Sequence, residues 1–533
     1  MGSDMAKCHQ PLTWLAPGLT AATFIVTVLL AALIALWQFS FTDFDLPFLL
    51  SAELWRVFAF TLKQAVLSVI LSVLLGLVLA KVTYPLVFIG KALLLRFYII
   101  TFALPALVLV IALPQIYGRQ GWLAVLSQFL GIEYTFSIYG LAGILLAHVF
   151  YNLPFTFRLF HQSLDSIAVE QQQLSAQLGL SYWQHFRYVE WPVLSRQLLP
   201  TAALIFMLCF TSFVIILALG GGPKNTTFEV AIYQSFRDFE FNKVTILSLV
   251  QLVFCIGFTF LLRRLAPNTS PLGEFSHKRF YPPLSKLQTL MGYSVILLTA
   301  LYLLSPIFSV ILNGLAAFSW ALLMNKTLLM ATFTSFMIAV GAGFFAQFLA
   351  VLLLWTTSRL QCEGYYRYSD LLMLSGSFIL AIPGMVVASG FFLLLYGIEN
   401  NAMVIAMLMM LSNGLMSLPF VLKLLENPMT SLVSRYDLLT KSLNINGINR
   451  FYWVDFQALK SLYSFTFALS CVMSLGDFGI IALFGSQDFV TLPFYLYSQL
   501  DTYHHDAANF TAFLLLIFCL GMFAFFDLMI KKL

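Results

Sequence analysis

Twelve apolar runs of about 20 residues each, separated by shorter polar stretches, constrain this chain more than any other feature. They fall near residues 19–38, 57–80, 93–116, 138–158, 199–219, 244–262, 289–312, 328–355, 370–396, 401–422, 462–484 and 508–530. Hydrocarbon offers a backbone no partners, so each run must satisfy its own N–H and C=O groups and closes as a helix. A barrel would instead need alternating strands of roughly ten residues. Composition agrees: of 533 residues, 60% are hydrophobic and only 10% charged. The expected fold is therefore an all-α polytopic membrane protein with about 12 transmembrane helices. The first run follows Lys7 and Pro11 and has no small-residue cleavage pattern at its end, so it reads as an uncleaved span.

Charge orients the helices. An even number of spans puts both termini on one side of the bilayer. The loops on that side hold most of the 28 Lys and Arg, among them Lys81, Lys91, Arg187, Arg196, Lys278, Arg279, Lys441 and Arg450. The opposite loops carry Asp43, Asp45, Asp238, Glu240, Asp488 and Asp501. The positive-inside rule then predicts cytoplasmic termini. It also accounts for the net charge of +5, so the expected partner is lipid bilayer and no nucleic acid is called for.

The chain repeats itself. At an offset of 265, Leu153-Pro154-Phe155 matches Leu418-Pro419-Phe420, Phe186 matches Phe451, Val189 matches Val454, Phe213 matches Phe478 and Gly220 matches Gly485. Both copies run in the same direction, which predicts two tandem, parallel 6-helix repeats. The Pro-, Ser- and basic-rich stretch after Ala266 is the natural linker. The expected organisation is an N-terminal segment with the first span (1–55), a first transmembrane domain (56–265), a cytoplasmic linker (266–288), a seventh span with its outer loop (289–327) and a second transmembrane domain (328–533).

A polar segment interrupts each repeat at the same place. The first runs from Glu170 to Pro192, EQQQLSAQLGLSYWQHFRYVEWP, and the second covers Leu438 to Gln457. Each reads as a helix, a reversal and a second amphipathic helix. Gly179 and Asn444 are the two residue types that most readily supply the positive φ such a reversal needs. Trp183, Phe186, Val189 and Trp191 recur at helical spacing and are expected to dock the segment on the membrane domain, with Pro192 ending the helix. One such loop could be an ordinary interfacial helix; two in register point to a surface grasped by a partner.

Other chemistry is sparse. No G-x-x-x-x-G-K-[ST] occurs, so the chain has no phosphate loop of that kind. No catalytic constellation and no metal site stand out, and the six Cys form no C-x-x-C pair. Gln64, His148, Asn152, Gln251 and Gln347 lie within spans and read as interhelical glue ahead of substrate ligands. Asp477, whose repeat counterpart is the neutral Ser212, is the main intramembrane carboxylate. With Phe213 and Phe478 it marks a candidate translocation path. Pro105 and Pro383 are expected to kink equivalent spans.

The paired loops resemble the cytoplasmic loop of ABC importer permeases, E-A-A-x-x-x-G followed after nine residues by I-x-L-P. Gly179, Val189 and Pro192 occupy its Gly, Ile and Pro positions; Gln173 stands at its Glu. In the second copy Leu438, Asn444, Val454 and Gln457 stand at the corresponding places. Stretches such as YGRQGWLAVLSQFLG (117–131), SLGDFGIIALFG (474–485) and TLPFYLY (491–497) further resemble the fused permeases of bacterial thiamine importers. The resemblance implies a type I ABC importer permease fold and an inner-membrane subunit that translocates thiamine and its phosphates by alternating access. It implies that Gln173, Gly179, Phe186, Val189 and Pro192, with Leu438, Asn444, Phe451, Val454 and Gln457, form two ATPase-coupling loops. The implied partners are two copies of a cytoplasmic ABC ATPase, which would use ATP and Mg, and a periplasmic thiamine-binding protein; no cofactor is expected on this chain. A ferric-iron importer of the same fused build and an ion-coupled secondary transporter stay open as alternatives.

Overall fold

The computed structural model describes residues 14–40, 46–88, 90–91, 94, 98, 101, 104–265, 284–395, 401–445, 447–485 and 489–532. Most of the linker lies outside them. Every regular element among the described residues is helical. Among the described residues, ten helices are long and apolar enough to cross a bilayer. They are α1 (Ala16–Ser40), α2 (Ala52–Thr83), α4 (Leu141–Asp165), α6 (Tyr182–Phe210), α9 (Phe241–Leu265), α10 (Lys286–Ala316), α11 (Lys326–Cys362), α14 (Ala402–Ser442), α15 (Gly447–Leu475) and α18 (His505–Lys532).

The other two of the twelve expected spans are interrupted at proline. Near 93–116 the continuous helix is α3 (Ala106–Tyr117), which starts only after Pro105 at ψ 135°. Near 370–396, α12 (Tyr366–Ser377) gives way to a 3₁₀ turn, then to Pro383 at ψ 145°, then to α13 (Gly384–Leu394). The expectation of a kinked but continuous helix is thus corrected. Each proline sits in extended backbone and begins a new helix, where its missing N–H costs no hydrogen bond. The short helices α5 (Val169–Gln177), α7 (Val214–Leu219), α8 (Phe228–Arg237), α16 (Ile481–Phe484) and α17 (Leu492–Asp501) complete the set used below.

The chain forms two compact units, and each takes its first span from the other half of the sequence. One unit holds Met1–Thr42, Lys326–Tyr495 and Ile517–Leu533. In it α1 packs on α11, α12 and α13. Small residues make that approach close: a side chain on Gly390 would collide with the Ala32 backbone. Thr356 of α11 caps the start of α1, accepting from the Gly18 N–H at 2.9 Å and donating to the Trp14 carbonyl at 3.0 Å.

The second unit holds Asp43–Asn325 and Leu496–Leu516. There α10 packs on α3 and α2. Tyr302 donates to the Leu146 carbonyl at 2.6 Å, and Gln115 links Ser309, Asn313 and Asn509 at 2.6–2.8 Å. Two halves of six consecutive spans therefore describe the sequence, while each compact unit carries an exchanged first helix.

Candidate functional site

The first polar segment folds as a helix, a reversal and a second helix. The chain leaves α5 through Leu178 and turns at Gly179, whose φ is +63°. Ser181 then opens α6 with a reciprocal cap: its hydroxyl accepts from the Gln184 N–H, and the Gln184 side chain accepts from the Ser181 N–H. In the second segment the turn residue Asn444 has φ +52°, so the expected swap of Gly for Asn holds in the backbone. No separate short helix precedes it. Instead α14 runs unbroken for 41 residues, about 60 Å, and its last turns play the part of α5. Gln173 and Leu438 sit at equivalent places on these two helices, and Leu438 is exposed.

After each turn comes a π-helical turn. In α6 it covers Phe186–Glu190, and in α15 it covers Phe451–Phe456. Two expectations are corrected here. Pro192 does not end its helix; it lies at the junction where the π turn passes into Trp191–Phe210. The wider turn has already given up regular i→i−4 bonding, so a residue without an N–H is tolerated there. Gln457, at the same place in the second copy, follows a π turn as well, so proline is not what creates it. Nor do the tryptophans dock the segment: Trp183 is 66% exposed, and Trp191 also faces outward. Phe186 and Val189 are half-buried, as is Val454.

The docking is done by charge. Glu190 is fully buried and accepts from Lys81 Nζ at 2.5 Å, Lys81 being in the last turn of α2. The ammonium also stands 3.9 Å from the centre of the Tyr182 ring. His185 lies 3.7 Å from Glu190 through Nε2 and 2.8 Å from the Ser175 hydroxyl through Nδ1, so α5, the turn and α6 close on one buried cluster.

The second copy keeps the arrangement with other side chains. Asp455, equivalent to Glu190, is fully buried and faces Arg359 of α11 at 4.0 Å. Arg450, equivalent to His185, donates to Asp437 Oδ1 at 2.9 Å, and Lys441 pairs with the same carboxylate at 2.7 Å. Among the described residues neither Asp455 oxygen has a hydrogen-bond partner, so this pair is the looser one. Sequence reasoning missed both acids. The signal was present: Val189-Glu190-Trp191 and Val454-Asp455-Phe456 carry an acid between apolar residues at the same offset of 265. Lys81 and Arg359 lie 278 positions apart, as do Pro105 and Pro383. Removing one partner of a buried ion pair costs about 3–5 kcal/mol, because the other charge stays buried alone.

The remaining candidates fall at a second repeated feature. The expected span near 199–219 stops at Phe210, passes through Thr211–Phe213 and resumes as α7. The expected span near 462–484 likewise stops at Leu475 and resumes as α16. Ser212 and Phe213 lie in the first interruption, Asp477 and Phe478 in the second. Both phenylalanines are buried, and Asp477 is half-buried, accepting from the Ile480 N–H at 3.4 Å.

The intramembrane amides and His148 behave as glue. Gln64 donates to the Cys209 carbonyl, Asn152 to Cys209 Sγ, Gln251 to Glu229, and Gln347 accepts from Thr466. His148 meets the Ser68 hydroxyl at 2.8 Å.

Residues 72–271 match the family described as binding-protein-dependent transport system inner membrane component. That stretch includes the whole first loop and its buried pair. The chain is 44% identical to the thiamine transport system permease protein of Escherichia coli (strain K12), with 97% of each chain covered. It is 43% identical to the protein of that name from Salmonella typhimurium, over 98% of each. The Haemophilus influenzae protein is 39% identical, with 92% of this chain and 90% of that one covered. Likeness of this extent takes in both repeats, both loops and both interrupted spans, and this multi-pass inner-membrane protein therefore belongs to the thiamine transport system permease family.

Proposed function

We propose that this chain is the membrane-spanning subunit of an ATP-driven importer that carries thiamine and its phosphates from periplasm to cytoplasm by alternating access. The observation that carries the mechanism is the pair of loops. Each presents a helix, a positive-φ turn and a π turn held from beneath by a buried acid, and each leaves large apolar side chains uncovered. Leu174, Leu178 and Trp183 stand out on the first, and Leu439, Leu443 and Trp453 on the second. Exposed apolar groups clustered on a rigid support suit a protein partner. The chain has no phosphate loop of its own, so that partner is read as a separate ATPase, one copy per loop, using ATP and Mg. The distribution of Lys and Arg favours the cytoplasmic side for both loops and both termini. Substrate would arrive from a periplasmic thiamine-binding protein.

Thiamine as the substrate rests on the names of the relatives. Chemistry is compatible with it: Asp477, at the interruption between α15 and α16, offers a carboxylate to a thiazolium cation.

The test is ATPase activity of the permease reconstituted in liposomes with its co-purifying ATPase and binding protein. Hydrolysis should rise several-fold with thiamine-loaded binding protein and stay basal with ferric iron. A response to iron alone would replace the substrate while keeping the mechanism. Uptake that ignores ATP and collapses with the proton or sodium gradient would replace the mechanism with ion-coupled transport.

A further inference from the structure

We propose that Glu190–Lys81 and Asp455–Arg359 are positioning pairs that carry the movement of each loop into the second span of its repeat, α2 in one and α11 in the other. This rests on the coupling role proposed above.

Three observations lead to it. The pairs occur once in each repeat, at equivalent positions, between the same two elements: the end of the long span and the π turn that follows the loop. The side chains differ, Lys with Glu in one and Arg with Asp in the other, so what the two copies share is a charge contact rather than a particular residue. And all four groups are buried, the two acids completely. A buried ion pair is a poor way to gain stability alone, since apolar side chains of similar size would serve as well or better. Its particular property is that separating the two charges in a low-dielectric setting is costly. The loop cannot shift without taking the end of the span along.

The π turn belongs to the device. A side chain in a regular α-helix advances about 100° per residue. The extra residue in the turn shifts that phase, so Glu190 and Asp455 face inward while their apolar neighbours Trp191 and Phe456 face outward. The same short segment thus offers an outward face to a partner and an inward charge to the span. The first pair, at 2.5 Å and braced by Tyr182 and His185, is the tighter link; the second, at 4.0 Å, has more slack.

The experiment uses the full permease assembled with its ATPase and binding protein in liposomes. The readout is substrate transported per ATP hydrolysed, beside co-purification of the ATPase. Glu190→Gln keeps shape and removes the charge. It should retain the ATPase and its hydrolysis while transport per ATP falls at least tenfold; Asp455→Asn should lower it less. A merely structural role would reduce the amount of assembled complex and leave that ratio unchanged, and an unchanged ratio in E190Q overturns the proposal. If E190Q does not assemble, the reversed pair K81E/E190K decides. Transport per ATP near the wild-type value in the reversed pair supports the proposal, and a reversed pair that fails to assemble or stays uncoupled overturns it. Loss of the coupling role itself would look different: wild-type permease would retain no ATPase at all.

Discussion

Gly179 has φ +63°, and a Cβ built on it meets nothing within 4 Å. Space therefore does not decide what this position accepts; backbone strain does. A left-handed conformation costs an ordinary residue about 1–2 kcal/mol and costs Asn less. Asn444, at φ +52° in the other repeat, is the natural control. Gly179→Asn should leave thermal stability and transport within error of wild type. Gly179→Val should destabilise the first loop by about 1–2 kcal/mol, read as faster amide exchange across residues 169–190. Equal protection in both variants would refute the strain argument. Residue chemistry also sets what the sequence could disclose. Positive φ has a short list of willing residues, so both turns were legible. Glu190 and Asp455 were not, because an acid between apolar residues looks like a solvated charge until its partner on a distant helix is known.

Among the elements, α1, like α10, has a place that the sequence did not reveal. Its apolar run identified a span, yet nothing in that run says which neighbours it packs against. Small side chains decide it: Ala21, Ala22, Ala32 and Ala35 are buried along α1, and Gly390 of α13 admits the Ala32 backbone. The consequence can be checked by cross-linking. In a cysteine-free background, F24C/F345C, which replaces two rings in edge contact across α1 and α11, should be joined by a short reducible thiol cross-linker. After proteolysis within residues 266–283, the two halves should then run as one band until reduced. Separation into two bands without reductant would show that α1 stays with its own half. Proline acted at this scale too. Pro105 and Pro383 announced a disturbance at equivalent places, but whether a proline kinks a helix or begins a new one depends on what satisfies the backbone on either side. That is a tertiary matter.

For the whole molecule, duplication is the governing fact, and it has a stoichiometric consequence. Two loops with one architecture predict two ATPase subunits on each permease chain. Native mass spectrometry of the detergent-solubilised complex should show that ratio. A stable complex with a single ATPase would mean that one loop does not bind. The second copy would then be the one to suspect, since its pair at 4.0 Å is the looser and its helix–turn–helix is merged into α14.

The class of fold, the number of apolar runs, the repeat and the positions of the two turns were already written in the chain's residues. Each of these rests on a local rule: the length needed to cross hydrocarbon, the few residues that accept positive φ, and self-similarity at a fixed offset. Long-range packing settled the rest: the first spans are exchanged, four of the runs are broken, and a π turn carries each docking acid inward past the exposed tryptophans. Those outcomes depend on which distant side chains meet: a glycine opposite a backbone, a lysine opposite a glutamate 109 residues away. No periodicity within one segment encodes the identity of its partner.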